Sequence, residues 1–227
     1  GVPLTNQKQL NMNLYDLQRI EVLKGPQGAL YGRNAIGGAI NIVTKAPSND
    51  FEGFGDVSYG NGNAFDASGG VSGPLVKDKI LFRFSANYKS DDGRIDNTFR
   101  DDKVDFIGHD YSLRGRILAT PADRLTLDAR AEYNDFRAGS NYYSAVFSGD
   151  PNDFVDPQFN VPSYTYGHST DLTFKGDYRF DFGTLTSITS YSRLAEIDRA
   201  DLDFRNPVDS PGGFLGLGFQ VGQGQDQ

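Results

Sequence analysis

Hydrophobic and polar residues alternate with a period of two along most of the chain from Phe51 onward, and this pattern predicts β-strands. The clearest segment is LTLDARAEYN at 125–134, where Leu, Leu, Ala, Ala and Tyr alternate with Thr, Asp, Arg, Glu and Asn. The same alternation occurs at 80–89, 111–119 and 169–180. Weaker runs, which are rich in glycine or lack a clean face, lie at 51–59, 64–75 and 184–194.

Short and long connections take turns between these predicted strands. The short turns are VKDK, PADR and DFG, at 76–79, 121–124 and 181–183. Long polar connections lie at 90–109 and 138–164, and another begins near Arg205. An antiparallel up-and-down sheet with its short turns at one end produces this order. We therefore predict an all-β chain with an open sheet of about seven to eight strands, the last beginning near Phe219.

The alternation fits two kinds of β protein. A soluble β-sandwich or propeller packs its apolar faces inward, whereas a transmembrane β-barrel turns them to lipid and keeps charged faces in a wet lumen. Runs of about ten residues have the length that crosses a bilayer at a tilt. Tyrosines recur where strands meet the long loops, as an interfacial girdle would require, at Tyr59, Tyr88, Tyr111 and Tyr133. We therefore predict a transmembrane barrel and keep the sandwich as the alternative.

Composition narrows the function further. The 227 residues include 27 glycines and 13% aromatic residues, which suits an all-β protein with tight turns. A net charge of −8 argues against nucleic acid as a partner, and the lack of cysteine excludes disulfides and thiolate chemistry. His109 and His168 lack metal-ligand spacing, and no carboxylate pair suggests catalysis. We expect neither an enzyme nor a cofactor or metal site.

Residues 1–46 differ from the rest of the chain. KGPQGALYGRNAIGGAINIVTK, from Lys24 to Lys45, places five glycines between two strand-like runs, Leu17–Lys24 and Ile40–Lys45. The glycines do not form a nucleotide-binding loop, because G-x-x-x-x-G-K-[ST] is absent and no G-x-G-x-x-G follows a strand and opens a helix. They are compatible with a glycine-rich turn between strands.

The stretch from Ile20 to Lys45 closely resembles the end of the plug domain in TonB-dependent outer-membrane receptors, through its GP-GALYG and GGAINI-TK arrangement. Weaker resemblance covers GVPL at the start and SGPLVKDK at 72–79. The resemblance implies that residues 1–46 are the C-terminal part of a small α+β plug domain. It implies that residues 47–227 are the N-terminal strands of a transmembrane β-barrel. We expect the chain to be a piece of a longer receptor.

The resemblance also implies roles for individual residues. In the family, the residue before the GP pair is often an arginine that pairs with barrel glutamates, and here it is Lys24, which offers a point charge instead of a fork. The glycines would allow positive φ angles and close backbone approach. The plug-motif residues are Lys24, Gly25, Pro26, Gly28, Tyr31, Gly32, Gly37 and Gly38.

The ligand-contact candidates lie in two loops. The resemblance implies that the loop before the first strand-like run rises toward the extracellular mouth. The aromatic residues of the long 138–164 loop either grip a ligand or only pack that loop. The candidates are Thr5, Asn6, Gln7, Lys8, Gln9, Tyr142 and Tyr143.

The function that the resemblance implies is TonB-dependent active uptake of a scarce nutrient across the bacterial outer membrane, with an iron–siderophore complex as the first candidate. Vitamin B12, haem and glycans are competing substrates, and a soluble β-sandwich binding module is the alternative from a different class. The implied partners are the small ligand, outer-membrane lipid and the TonB energy-coupling protein, which would act through an N-terminal segment outside this chain.

Overall fold

The structure is a computed structural model, which describes residues 13–28, 37–140, 150, 152–153, 155–201, 204 and 218–226. The described residues form twelve strands and no helical element. They accordingly contain no helix that is long and apolar enough to cross a membrane. The strands are β1 (Leu17–Lys24), β2 (Gly38–Thr44), β3 (Glu52–Gly60), β4 (Ala64–Val76), β5 (Ile80–Asp91), β6 (Asp96–Asn97), β7 (Asp102–Lys103), β8 (Ile107–Ala122), β9 (Leu125–Ala138), β10 (Tyr164–Phe180), β11 (Gly183–Asp201) and β12 (Gly218–Asp226).

Eight strands form one antiparallel sheet, called the large sheet below, in the order β12-β11-β10-β9-β8-β5-β4-β3. Neighbours in the sheet are neighbours along the chain, apart from the short β6–β7 hairpin, which lies inside the long connection after β5. The up-and-down topology, the open sheet and the strand near Phe219 predicted from the sequence are confirmed. Strands β3 and β12 are the two edges of the large sheet.

The two faces of the large sheet have opposite chemistry. Phe84 and Phe174 on one face are 47% and 51% exposed, whereas Arg83 on the other face is only 6% exposed. A soluble sandwich would cover the apolar face with a second sheet, and no other sheet of the described residues lies on it. The apolar face is therefore the lipid-facing side of a barrel wall, and the sandwich alternative is wrong.

The long strands extend beyond the thickness of a bilayer. β10 has 17 residues and β11 has 19, whereas a tilted crossing needs about 9–11. On the lipid-facing side of β10, apolar residues run from Phe180 to Leu172 and give way to His168 and the tyrosines above it. The upper ends of these strands thus project into the headgroup region and the space outside it. Tyr111 and Tyr133 lie at this boundary, with ring centres 6.2 Å apart.

A second, two-stranded sheet stands apart from the large sheet. Strands β1 and β2 pair with each other in an antiparallel hairpin, called the small hairpin below, in which Ile20 lies opposite Ile42. These are the two strand-like runs that flank the glycine stretch in the sequence. The described residues place no other strand beside them.

Two of the plug-motif glycines have a clear structural reason. Gly38 has a φ of 139°, and a Cβ atom there would lie 2.4 Å from the carbonyl oxygen of Leu23 on the paired strand. Gly25, at the end of β1, has a φ of 83°. Both positions therefore favour glycine. Gly28 and Gly37 have no positive φ, and no atom of the described residues lies within 4 Å of a Cβ built on either, so their role stays a prediction.

Because the two faces differ in chemistry, an arginine introduced at either of two adjacent positions of β8 should affect the folding free energy very differently. Ile117 faces lipid, whereas Leu118 lies on the charged face directly opposite Asp128. We expect Ile117→Arg to cost about 2–4 kcal/mol of folding free energy, the range for a cation near the bilayer midplane. Leu118→Arg should cost less, because its guanidinium would lie on the polar, lumen-facing side of the sheet.

Heat-modifiable gel mobility and urea unfolding of the receptor carrying this segment would measure the difference. Equal damage from the two substitutions would contradict the assignment of the faces.

Candidate functional site

The small hairpin contacts the charged face of the large sheet through its open end. This end consists of residues 13–16, which lead into β1, and of Lys45, which follows β2. The amide of Lys45 donates a hydrogen bond to the carbonyl oxygen of Asp16 at 3.2 Å, so the two ends are tied together. Polar side chains of β5 and β8 meet them there.

Arg83 of β5 binds Asp16 with a two-pronged geometry. Its Nη2 and Nε atoms donate to the two carboxylate oxygens of Asp16 at 2.5 and 2.7 Å, and both side chains are buried. A third donor, Nη1, reaches Glu52 at 2.7 Å on the edge strand β3. Asp16 has a φ of 52°, a left-handed conformation that aspartate tolerates better than most residues. The local backbone thus presents this carboxylate to the arginine fork.

Arg114 of β8 holds the neighbouring residue of the small hairpin. Its Nη1 donates to the carbonyl oxygen of Tyr15 at 3.0 Å, and its guanidinium carbon lies 4.6 Å from the centre of the Tyr15 ring. The other two donors of the guanidinium bind both carboxylate oxygens of Glu132 at 2.8 and 3.1 Å. Burial raises the pKa of Tyr15 to about 12, so this ring is a neutral phenol at physiological pH.

Arg116, two residues further along β8, holds the other end of the small hairpin. Its Nη1 donates to the carbonyl oxygen of Lys45 at 3.3 Å. Its Nε and Nη2 atoms bind the two oxygens of Asp128 at 3.0 and 2.9 Å. Arg130 of β9 shares that carboxylate, at 2.6 Å.

These four side chains, called the arginine cluster below, come together through strand pairing. Arg83 lies directly opposite Arg116, which in turn lies opposite Arg130. Like charges that face each other across strands repel. The large sheet supplies a carboxylate to every member of the cluster, and the small hairpin adds one more through Asp16. The cluster is therefore neutralised in part by the hairpin that it holds.

Asn13 extends the contact above the arginine cluster. Its side-chain amide donates to Asp110 at 2.7 Å and to the hydroxyl of Ser112 at 2.9 Å. Asn134 of β9 donates to the same two side chains at 2.7 and 3.0 Å. The buried Asn13 thus joins a polar network that is already formed between β8 and β9.

The site residues predicted from the sequence are not among those that join the small hairpin to the large sheet. Lys24 is exposed, and no described residue forms an ion pair with it. The ligand candidates at 5–9 and Tyr142 and Tyr143, together with Tyr31 and Gly32 of the plug motif, lie outside the described residues and remain predictions. Pro26 and Gly28 make no polar contact with the large sheet among the described residues.

Sequence reasoning missed the residues that make this contact. The segment NLYD at 13–16 has no periodicity and no recognised motif, so nothing marked it as a binding segment. A signal was nevertheless present on the other side of the contact. Arg83, Arg114 and Arg116 fall on the polar face of predicted strands, where a wet lumen requires charge to be balanced.

Comparison with known proteins shows what the chain is similar to in sequence and in fold. Residues 1–39 match the model of the TonB-dependent Receptor Plug Domain family. A probable TonB-dependent siderophore receptor, PirA of Acinetobacter baumannii, is 29% identical over 179 residues, which are 71% of this chain and 23% of that protein. The pesticin receptor of Yersinia pestis is 37% identical over 82 residues, which are 36% of this chain and 12% of that protein.

Solved structures share the fold at low sequence identity. The ferric yersiniabactin uptake receptor FyuA from Yersinia pestis has a TM-score of 0.68 at 22% identity, over 81% of this chain and 29% of that one. The siderophore receptor PiuA from Acinetobacter baumannii has a TM-score of 0.70 at 14% identity, over 83% and 27%. At these identities the likeness establishes the fold alone.

The chain spans about a quarter or less of the length of these relatives. A plug-family match at residues 1–39 is followed by a sheet with a lipid-facing side and by a hairpin held on its charged side. Residues 1–39 therefore belong to the TonB-dependent Receptor Plug Domain family, and the strands that follow have the fold of the barrel wall in solved siderophore receptors.

Proposed function

We propose that the receptor carrying this chain imports a ferric siderophore through the outer membrane, and that the arginine cluster holds the plug in the closed position. The observation that carries the proposal is the contact of Asn13–Asp16 and Lys45 with Arg83, Arg114 and Arg116. Transport through a plugged barrel requires the plug to shift, and these bonds join plug to wall. The siderophore class is supported by the relatives, whose names include siderophore, ferric enterobactin and ferripyoverdine receptors.

The contact is suited to repeated release. When one partner of a buried ion pair leaves, the other charge stays behind unpaired, which is costly. Each arginine that binds the small hairpin also has a carboxylate within the large sheet: Glu52 for Arg83, Glu132 for Arg114 and Asp128 for Arg116. Departure of the hairpin would therefore leave no arginine without a counter-ion. Every arginine of the cluster keeps a neighbouring carboxylate of the wall, although Arg116 and Arg130 share Asp128.

The remaining assignments complete the proposal. The boundary between plug and barrel lies at residues 46 and 47, between β2 and β3. Thr5, Asn6, Gln7, Lys8 and Gln9 contact the ligand from the plug, and Tyr142 and Tyr143 contact it from the long loop. The TonB protein supplies the force that separates the small hairpin from the arginine cluster. Vitamin B12, haem or a glycan is the alternative substrate class, and no relative named above supports one of them.

The proposal predicts that a covalent bridge across this contact blocks transport. Asn13→Cys with Ser112→Cys, joined by a short thiol-specific crosslinker, should leave ferric siderophore binding intact. Uptake of radioactive iron should fall to background, because the hairpin can no longer leave β8. If the crosslinker contains a cleavable bond, breaking that bond should restore uptake.

A matched bridge inside the wall controls for the labelling. Ser58 and Asp66 lie directly opposite each other on β3 and β4. Crosslinked Ser58→Cys with Asp66→Cys should transport normally. Full uptake by the bridged Asn13 and Ser112 variant would overturn the proposed release of the plug.

The Arg83–Asp16 pair should contribute measurably to the hold on the small hairpin. Asp16→Asn removes the carboxylate but leaves Arg83 with Glu52, so we expect a loss of about 1.5–3 kcal/mol, the range for hydrogen bonds to charged groups. Faster hydrogen–deuterium exchange in β1, with unchanged exchange in β8 and β9, would report it.

The exposed turn between β10 and β11 offers the matched control for Asp16→Asn. Asp181 pairs there with Arg124 at 2.8 Å, and both side chains are largely exposed. Asp181→Asn should change exchange little, since exposed pairs contribute about 0–1 kcal/mol. Equal effects of the two substitutions would show that burial of the Asp16 pair has no special role.

The loop at residues 5–9 should matter for ligand and not for folding. Replacing Asn6, Gln7 and Lys8 with alanine should lower siderophore-dependent growth while surface abundance stays unchanged, because loops on a rigid scaffold carry binding. Lys77→Ala, in the exposed turn at the opposite end of the strands, is the control. Unaffected growth on every ferric siderophore tested would remove these residues from the ligand site.

A further inference from the structure

A row of polar residues crosses the charged face of the large sheet at a single level. Strand pairing places its members directly opposite one another on β3, β4, β5, β8, β9, β10 and β11, and residues that face each other in this way share a side of the sheet. At about 4.8 Å between strands, the part from β5 to β11 extends over roughly 19 Å. The members, called the polar row below, are Glu52, Ser72, Arg83, Arg116, Arg130, Thr173 and Ser190.

The neighbouring rows on the same face have a different composition. Two residues closer to the short turns, the row contains Leu81, Leu118 and Ile188. Two residues closer to the long loops, the row has one arginine and two carboxylates that face each other, Glu132 and Asp171. The polar row itself has three arginines and a single carboxylate. Cationic hydrogen-bond donors are therefore concentrated at this level of the wall.

The hold on the small hairpin explains only half of the polar row. Arg83 and Arg116 bind the hairpin, but within the described part of the chain no hydrogen bond joins it to Arg130, Thr173 or Ser190. The side chain of Arg130 is 43% exposed, compared with 6% for Arg83 and 14% for Arg116. An open guanidinium and two hydroxyls thus continue the row beyond the residues that the hairpin covers.

Departure of the small hairpin would free further donors in the same row. The Nε and Nη2 atoms of Arg83 would lose the two carboxylate oxygens of Asp16. The Nη1 atom of Arg116 would lose the carbonyl oxygen of Lys45. A guanidinium donor without an acceptor binds an anionic oxygen more strongly than a neutral one. The movement that opens the path therefore also exposes donors suited to an anion.

The carboxylates of the wall leave these donors incompletely occupied. Arg116 and Arg130 share the carboxylate of Asp128. Asp171, one row above, accepts a hydrogen bond from the hydroxyl of Ser192 at 2.5 Å. The polar row would consequently keep both its positive charges and free N–H groups after the hairpin has moved.

We propose that the polar row, once the small hairpin has moved, binds the anionic oxygens of a ferric siderophore in transit, and that it thereby favours negatively charged ferric complexes. This inference rests on the proposed function and specifies its substrate class. A guanidinium fork contacts two oxygens of a carboxylate or catecholate at once. The hydroxyls of Thr173 and Ser190 provide further hydrogen bonds at the end of the row.

The rate of iron uptake as a function of siderophore concentration tests the proposal. The full-length receptor is expressed as the only siderophore receptor of the cell, and radioactive iron is supplied as an anionic ferric tricatecholate or as a neutral ferric trihydroxamate. We expect a higher maximal rate for the anionic complex. Arg130→Gln should lower that rate roughly tenfold, because a hydrogen bond to a charged group is lost. The half-saturating concentration should stay unchanged, because the row lies below the surface where the ligand first binds.

Moving the charge along the polar row separates ligand binding from a purely structural role. Arg130→Lys should keep most of the maximal rate. Arg130→Gln combined with Thr173→Lys places a cation on the adjacent member of the row and should restore most of the lost rate. Arg124→Gln, in the exposed turn where Arg124 pairs with Asp181, is the control and should leave the rate unchanged. Heat-modifiable gel mobility and surface abundance show that each variant is folded.

Several results would overturn the inference. An equal or higher maximal rate for the neutral complex is one, and a wild-type rate for Arg130→Gln with the anionic complex is another. Failure of Thr173→Lys to restore any uptake in a folded receptor would show that Arg130 has a structural role only. All of these leave the proposed function intact, because iron still enters the cell. A wild-type receptor that imports iron from no siderophore complex, charged or neutral, would instead contradict the proposed function itself.

Discussion

The balance of charge around the arginine cluster is the constraint on which the rest of the structure depends. Strand pairing brings Arg83, Arg116 and Arg130 directly opposite one another, and such a row is unfavourable without carboxylates close by. The wall supplies Glu52, Asp128 and Glu132, and the plug adds Asp16. This requirement decides which face of the sheet is turned inward, and it decides where the small hairpin rests.

The same constraint explains a composition that is poor in hydrophobic residues. The mean hydropathy is −0.49, although the chain folds into an extensive sheet. In a soluble protein the apolar residues would form the core, but here lipid solvates them and the buried side is polar. Few large apolar side chains are buried among the described residues, and those that are include Tyr15, which stacks under Arg114. The buried side of this part of the chain is therefore a network of ion pairs and hydrogen bonds instead of a hydrophobic core.

Such a network suits the proposed hold and release of the plug. A hydrophobic interface would expose apolar surface to water in the lumen when the plug moved, at about 25 cal/mol for each Å². A polar interface exchanges its bonds with water instead, and the carboxylates of the wall keep the arginines paired. The outer side of the same strands has the reverse chemistry, with exposed apolar side chains such as Phe84 and Ile117 that face lipid. β5 and β8 therefore carry the plug contact on one face and lipid-facing residues on the other.

The sequence by itself determined the strands, their up-and-down order and the two faces, because a period of two assigns every residue to a side. It also marked the plug motif, in which Gly25 and Gly38 have backbone reasons for glycine. It could not identify the contact of Asn13, Tyr15 and Asp16 with the wall. A period of two shows on which face of the sheet a residue lies, but it does not show which residue of the neighbouring strand is paired with it. Which arginines stand side by side, and which carboxylates reach them, depends on backbone pairing between strands and on a segment up to 99 residues away along the chain.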